Sequence, residues 1–351
     1  MSQLAIRPLG RVPALDGLRG IAILLVLGWH ADALLPGGAL GVDLFFVLSG
    51  FLITSLLIEE HHLTGRVSLL GFYRRRALRL LPGLAFATAV GLAVILVAAP
   101  SEFARGLSSL PFIASFTVNM PFANVSGEFA PLWSLSQEEQ FYLLWPPILT
   151  GLFLTRVSPR VIAAVLVTLA AAATAWRTGL MLSGASAERL WYSPDTNAES
   201  ILLGCAMAVC VSYRLIRVPR FANPVLLLCT AVIVVFTLWG THAFFLALPV
   251  FAIAAAVTIE RLATDPGWWF SRVLGVAPLR ALGRISYGLY ILHLPLFLAL
   301  GWRLGLPVSI LLTGLSYRYI ERPFLRRKRP HHPPLDPRPA THSAEALAPA
   351  R

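Results

Sequence analysis

Residues 41–58 read GVDLFFVLSGFLITSLLI, eighteen positions with a single ionisable side chain, Asp43. A run of that polarity cannot face water, and its length approaches the roughly 20 residues that cross a bilayer core. The same texture recurs outward in both directions, at 20–35, 77–99, 141–155, 161–182, 200–213, 224–239, 243–259, 285–300 and 304–317. Several of these runs are short for a bilayer, a shortfall that tilt and local thinning can absorb. Composition agrees, with 57% hydrophobic and 13% charged residues and a mean hydropathy of +0.72. A soluble chain carries about a quarter charged residues. With so few charges this chain cannot cover a wet surface, so lipid is its solvent. The expected fold class is all-α integral membrane, a bundle of about ten transmembrane helices with both termini cytoplasmic.

Charge sets the expected orientation. If the N-terminus starts in the cytoplasm and the helices alternate, the 29 basic residues fall at inner ends, with four exceptions. Those are Arg105, Arg189 and Arg303 outside and Arg177 within a helix. An even number of spans is what the positive-inside rule asks for here. The formal charge of +12 therefore reads as topology. No aromatic-interleaved basic patch points to nucleic acid. Cys205, Cys210 and Cys229 lie inside apolar runs and have no disulfide spacing. Ala31-Asp32-Ala33 after the first run resembles a cleavage site, but removing that run would upset the charge pattern, so the run is expected to stay. Three regions follow: a cytoplasmic N-terminal segment 1–13, a membrane domain 14–325, and a basic, Pro-rich tail 326–351, expected to be disordered.

Ionisable groups in hydrocarbon are costly and so are candidates for function. Arg19 and His30 lie eleven residues, about 16 Å, apart on roughly one helix face. A cation at the cytoplasmic end with an imidazole above it suits an anionic donor held below and chemistry above. A snorkelling arginine and a structural histidine fit the pair equally well. In 72–82, Arg75, Arg76 and Arg79 converge on one face as guanidinium forks suited to phosphate; positive-inside anchoring accounts for them too. Ser136 and Glu139 have the spacing of a capping box. That leaves Glu138 as an unassigned carboxylate at the outer mouth, near the level of His30. Asp43 is expected near the outer surface, as a helix N-terminal anion or reaching His30 to fix its tautomer. His293 is expected near the bilayer midplane, beside carbonyls freed by Pro295. The sequence holds no Gly-x-Ser-x-Gly elbow and no metal-ligand cluster.

In order, these segments resemble acyltransferase family 3. The resemblance rests on Leu15-Asp16-Gly17-Leu18-Arg19-Gly20-Ile21-Ala22 followed by His30, on 45–53, 74–82, 133–142 and 286–295, and on Tyr319-Ile320-Glu321-Arg322-Pro323-Phe324. It implies a multi-pass O-acyltransferase of the bacterial cytoplasmic membrane, in stand-alone form without a fused hydrolase-like domain. The acyl group, acetyl above all, would come from cytoplasmic acyl-CoA as cosubstrate, with no tightly bound cofactor and no metal. The acceptor would be a hydroxyl of a carbohydrate or glycoconjugate at the outer face. By the same resemblance His30 and Glu138 would be catalytic and Arg19, Arg76 and Arg79 would bind the donor, joined by Arg75 from the same helix face. Asp43, Ser49, Trp133, Tyr142 and His293 would orient substrate. The segment Asp195-Thr196-Asn197-Ala198-Glu199 departs from the family's pattern, which places an arginine and an aspartate there. Only 27 residues separate His293 from Glu321, so the last helix is expected to be partial. Rival readings are a transporter or flippase, for which no internal repeat is present, and a scaffold whose polar residues only join helices.

Overall fold

The computed structural model describes residues 10, 12–32, 34–121, 123–216 and 241–327. Over these residues the helices are α1 (Pro13–His30), α2 (Leu40–Thr64), α3 (Leu69–Ala98), α4 (Phe103–Ser108), α5 (Leu110–Ala114), α6 (Leu132–Leu154) and α7 (Pro159–Leu182). They continue as α8 (Ala187–Tyr192), α9 (Ala198–Ser212), α10 (Thr241–Thr264), α11 (Trp269–Leu274), α12 (Ala277–Ser316) and α13 (Arg322–Arg326). No strand occurs among the described residues. The run 224–239 with Cys229, the arginines Arg7, Arg11, Arg217 and Arg220, and the tail from Lys328 lie outside them.

Local chemistry sets the helix ends. Ser68, Ser158 and Ser186 each accept a backbone N–H three residues on, capping α3, α7 and α8. Gly65 ends α2 in the left-handed region at φ 73° and donates its N–H to the His61 carbonyl.

Five segments are long and apolar enough to cross a membrane: Pro36–Thr64, Leu69–Ala98, Pro159–Leu182, Phe244–Thr264 and Ala277–Arg326. They differ in how much of that apolar surface the protein itself covers. In α2 78% of the most apolar window is buried, against 28% in α7. The hydropathic stretch that decides the fold class is therefore the hub of the bundle, and α7 turns outward. Buried polar residues gather in α2 (Asp43, Ser49, Thr54, Ser55 and Glu60) and α12 (Ser286, His293, Ser309, Thr313 and Ser316), with smaller groups in α6 and α9.

Contacts between residues fix the helix directions. Arg19 meets Ser286 and His30 meets His293, so α1 runs parallel to the start of α12. Leu80 pairs with Tyr287, and Gly91 lies beside Pro295, so α3 runs the same way. Glu138 meets Ser49 and Trp145 meets Thr54, aligning α6 with α2; Asp43 meets Ser200, and Gly204 meets Val47, aligning α9 with them. Gly41 lies against Ala22 and Gly38 against Leu25, so α1 and α2 are antiparallel. From α1 through α2 and α3 to α6, successive long helices thus alternate in direction.

The last hairpin is complete, against the expectation of a partial final helix. α12 is broken at Gly301, whose φ of 69° and ψ of 155° reverse the chain within one residue. Beyond it the helix folds back, so that Gly305 lies on Leu296 and Thr313 on Gly288. A single-residue reversal saves the loop that 27 residues had no room for. A π-turn at Tyr317–Glu321 then leads into α13.

A buried ion pair joins the peripheral helices. Arg177 of α7 donates to the Glu199 carboxylate of α9, to the Thr196 carbonyl at 2.9 Å and to the Phe245 carbonyl of α10 at 3.4 Å. Both side chains of the pair are at most 1% exposed. The departing segment 195–199 is filled by this pair. Removing one partner strands the other, whereas removing both does not. Arg177→Met should therefore lower stability in detergent by about 3–5 kcal/mol, with the Arg177→Met/Glu199→Met double variant recovering most of it. Equal thermal melts for the single and double variants would refute the coupling. Gly301→Ala should cost on the order of 1–3 kcal/mol, because its φ is closed to other residues; an unshifted melt would contradict the reversal drawn here.

Candidate active site

The site begins where two backbones touch. A Cβ on Gly20 would collide with the Leu279 carbonyl, and one on Gly283 with the Asp16 carbonyl. Glycine at these crossings lets α1 and α12 approach far closer than side chains allow. Two polar levels result. At the lower one, Arg19 Nη2 donates to Ser286 Oγ at 3.3 Å, while the guanidinium carbon stands 5.6 Å from the centre of the Phe45 ring. Arg19 Nε is buried with no acceptor among the described residues, leaving an unmet donor.

At the upper level two imidazoles meet. His293 is fully buried, and its Nδ1 lies 2.6 Å from the Tyr290 carbonyl oxygen. That acceptor requires the proton on Nδ1, so Nε2 keeps a lone pair. The lone pair faces His30 Nδ1 at 3.3 Å, and the Val26 carbonyl oxygen stands 3.0 Å from the same His30 atom. Two acceptors around one nitrogen assign the proton to it. His30 is thus the Nδ1–H tautomer, and its Nε2 is the basic nitrogen. No protein group engages Nε2 among the described residues.

Three cavities run in series through this region. One of about 50 Å³ is lined by Arg19, Glu138, Ser49, Ser286 and Tyr290, among others. A second of about 320 Å³ holds His30 with Trp29, Trp133, Tyr192 and Tyr290. The two share Val42 and Tyr290 as a common wall. Tyr290 is held there because its O–H donates to the Pro131 carbonyl at 2.7 Å and its oxygen lies 2.6 Å from Ser134 Oγ. A third, open cavity of about 500 Å³ shares Ala130, Trp133 and Tyr192 with the second.

Several expected positions are corrected. Glu138 does not sit with His30 at the outer mouth. It accepts from Ser49 Oγ at 2.9 Å and lines the Arg19 cavity, because α6 begins at Leu132 and carries residue 138 well inside. The capping box is absent for the same reason: Pro131 is the N-cap. Ser136 donates to the Leu132 carbonyl and accepts from Val118 N–H, tethering the outer loop. Asp43 accepts from Ser200 Oγ at 2.9 Å in the buried α2–α9 contact, and not from His30; the backbone of α1 itself orients His30. His293 is the partner of His30.

The arginines divide. Arg75 pairs with Glu60 at 3.3 Å. Arg76 pairs with Glu139 through Nε and Nη2 at 2.5–3.1 Å, its guanidinium 3.3 Å from the centre of the Tyr142 ring. Tyr142 therefore packs on this pair. The fork of Arg76 is occupied by protein. Arg79 is exposed and stands within electrostatic reach of Arg19, Arg76 and Glu321.

Trp133 packs edge-on against Phe46 and Tyr192 between the second and third cavities. Two residues went unnoticed in the sequence as separate candidates, Tyr290 and Glu321. Glu321 is 7% exposed, accepts from Ser316 Oγ at 3.2 Å and lies against Gly83 and Gly288. Its signal was available, since a carboxylate this far within an apolar segment is a candidate on its own account.

Comparison with known proteins gives the family. Residues 12–317 match a family described as an acyltransferase domain. The peptidoglycan O-acetyltransferase OatA of Listeria monocytogenes is 30% identical over 345 residues, covering 89% of this chain and 55% of that protein. The O-acetyltransferase OatA of Staphylococcus aureus is 30% identical over 356 residues, covering 90% and 57%. The putative peptidoglycan O-acetyltransferase YrhL of Bacillus subtilis is 30% identical over 348 residues, covering 89% and 54%. The chain spans about half the length of the curated relatives it matches. No solved structure matches it.

The tautomer assignment can be tested without any substrate. In protein labelled with ¹⁵N-histidine, His30 should show the Nδ1–H form, and His293→Leu should raise its Nε2–H population by removing one of the two acceptors. An Nε2–H form in the unsubstituted protein would overturn it.

Proposed function

The chain belongs to this acyltransferase family, and on that premise we propose that it moves an acyl group, acetyl above all, from cytoplasmic acyl-CoA to a hydroxyl of a carbohydrate beyond the opposite face. The names of its relatives favour a cell-wall glycan as acceptor. The membrane would be the bacterial cytoplasmic one, crossed by about ten helices with both termini inside. The alternating helix directions and the one-sided arginines support that orientation. In it, Arg75 and Arg79 lie toward the cytoplasm, and the third cavity opens outward.

The observation that carries the reading is His30. Its Nδ1–H is held by two acceptors, its Nε2 is unengaged, and its cavity adjoins one containing Arg19 with an unmet N–H. An imidazole titrates near neutrality and suits proton abstraction from a hydroxyl. His30 Nε2 takes the acceptor's proton as the oxygen attacks the thioester carbonyl carbon. The C–S bond breaks, the CoA thiolate leaves, and His30 returns the proton to sulfur. Arg79, with no hydrogen bond or ion pair among the described residues, meets the donor's phosphates from below. Arg19 offers a donor to the donor's amide or thioester oxygens inside. Glu138, held by Ser49, balances the charge of Arg19 and orients what enters.

Offered labelled acetyl-CoA, membranes holding the protein should incorporate label into extracted glycan. His30→Ala should lower that rate by roughly 10²–10⁴-fold while the protein remains inserted; undiminished incorporation would refute the role. Passage of an unmodified solute with no incorporation would favour a transporter. Arg79→Ala should raise KM for acyl-CoA about tenfold or more, the worth of a charged hydrogen bond. Arg76→Ala should instead reduce folded protein, because Glu139 is left unpaired. The reverse pattern would return the donor site to Arg76.

A further inference from the structure

We propose that the third cavity is a binding site for an uncharged oligosaccharide, with Tyr192 as the ring on which one sugar lies and Glu188 as the rim group that turns acidic sugars away. As an acceptor subsite it rests on the transferase reading above; as a binding site it is testable without it. The cavity is built between two segments, 118–133 and 186–193. At about 500 Å³ it lies within the range of roughly 300–1,000 Å³ found for small-molecule clefts, so it has room for a sugar.

Its lining mixes ring faces with short polar groups. Tyr192 is 38% exposed. It packs edge-on against Trp133, with centroids 5.6 Å apart, and borders both this cavity and the one holding His30. A pyranose has one face of C–H groups and a rim of hydroxyls. The C–H face stacks on an aromatic ring, and the rim takes hydrogen bonds from side chains and water. A sugar on Tyr192 therefore lies on the wall that the His30 cavity shares.

The charge of the lining is specific. Arg189 donates through both Nη atoms to the Asp195 carboxylate, at 2.9 and 2.5 Å, and Trp176 Nε1 donates to the same carboxylate at 2.8 Å. Partial burial pushes the Asp195 carboxyl up, but these bonds outweigh it and hold it below its ordinary range. Arg189 is thus neutralised. Asn119 and Gln140 satisfy each other amide to amide, at 3.2 and 2.8 Å. The remaining charge in the lining is Glu188, exposed and without a hydrogen bond or ion pair among the described residues. An anionic chain meets repulsion and no counter-charge; a neutral one meets neither.

The test is saturation-transfer NMR and titration on the detergent-purified chain, without donor, using a neutral chito-oligosaccharide and a uronic-acid oligosaccharide of equal length. The neutral chain should bind and the acidic one bind more weakly. Tyr192→Ala should weaken the neutral chain about tenfold, while Tyr192→Phe retains it. Glu188→Lys, at the exposed rim, should reverse the preference toward the acidic chain. Unchanged binding by Tyr192→Ala, equal binding of both oligosaccharides, or no binding of the neutral one would overturn the site. If binding behaves as stated but acetyl-CoA yields no labelled sugar, the subsite stands and the transferase reading falls.

Discussion

The near-contact of α1 with the first half of α12 is the constraint on which the site depends. Glycines at 20 and 283 set one helix almost on the backbone of the other, and the parallel alignment places two pairs of polar groups at two heights. Arg19 and His30 are eleven residues apart on their helix, while Ser286 and His293 are seven apart on theirs. At 1.5 Å per residue the mismatch is about 6 Å, which the length of an arginine side chain can span. Bulkier residues at the crossing would part the helices and with them both pairs. In hydrocarbon such groups hold one another because no water competes.

Ionic groups elsewhere in the bundle fall into two kinds. Arg76 with Glu139, and Arg177 with Glu199, are closed pairs between helices, half or fully withdrawn from solvent. They fix neighbours and have little left to offer a ligand. Arg19, Arg79, Glu138 and the Nε2 of His30 are open, each with capacity that the protein leaves unused or only partly used. Burial of unsatisfied polarity is expensive, and Arg19 Nε is such a donor in a residue that lines the first cavity, beside Glu138.

The sequence carried the helical class, the runs on which the helices form, and Arg19 and His30 on one face of one helix, because apolar length and helical spacing act locally. It did not carry the identity of partners. Arg75, Arg76 and Arg79 have the spacing of one helix face whether they face phosphate or carboxylates of α2 and α6. Ser136 and Glu139 have capping-box spacing, but the helix starts four residues earlier because Pro131 can open it. Asp43 looked equally able to reach His30 or a neighbour. The parallel fit of α2 on α9 gave it to Ser200. The one-residue reversal at Gly301 was hidden for another reason: a glycine between apolar runs looks the same whether it bends a helix or folds it in half.

Among the described residues, the third cavity takes its lining from 118–133 and 186–193, and none from α1 or α12. The turn at Gly301 projects nothing toward it. On the proposed reading, recognition and reaction are therefore housed in separate parts of the chain, whose cavities share Ala130, Trp133 and Tyr192. Such a layout lets the vestibule be re-tailored to a new guest by exchanging two short connectors, while the machinery beneath keeps its register.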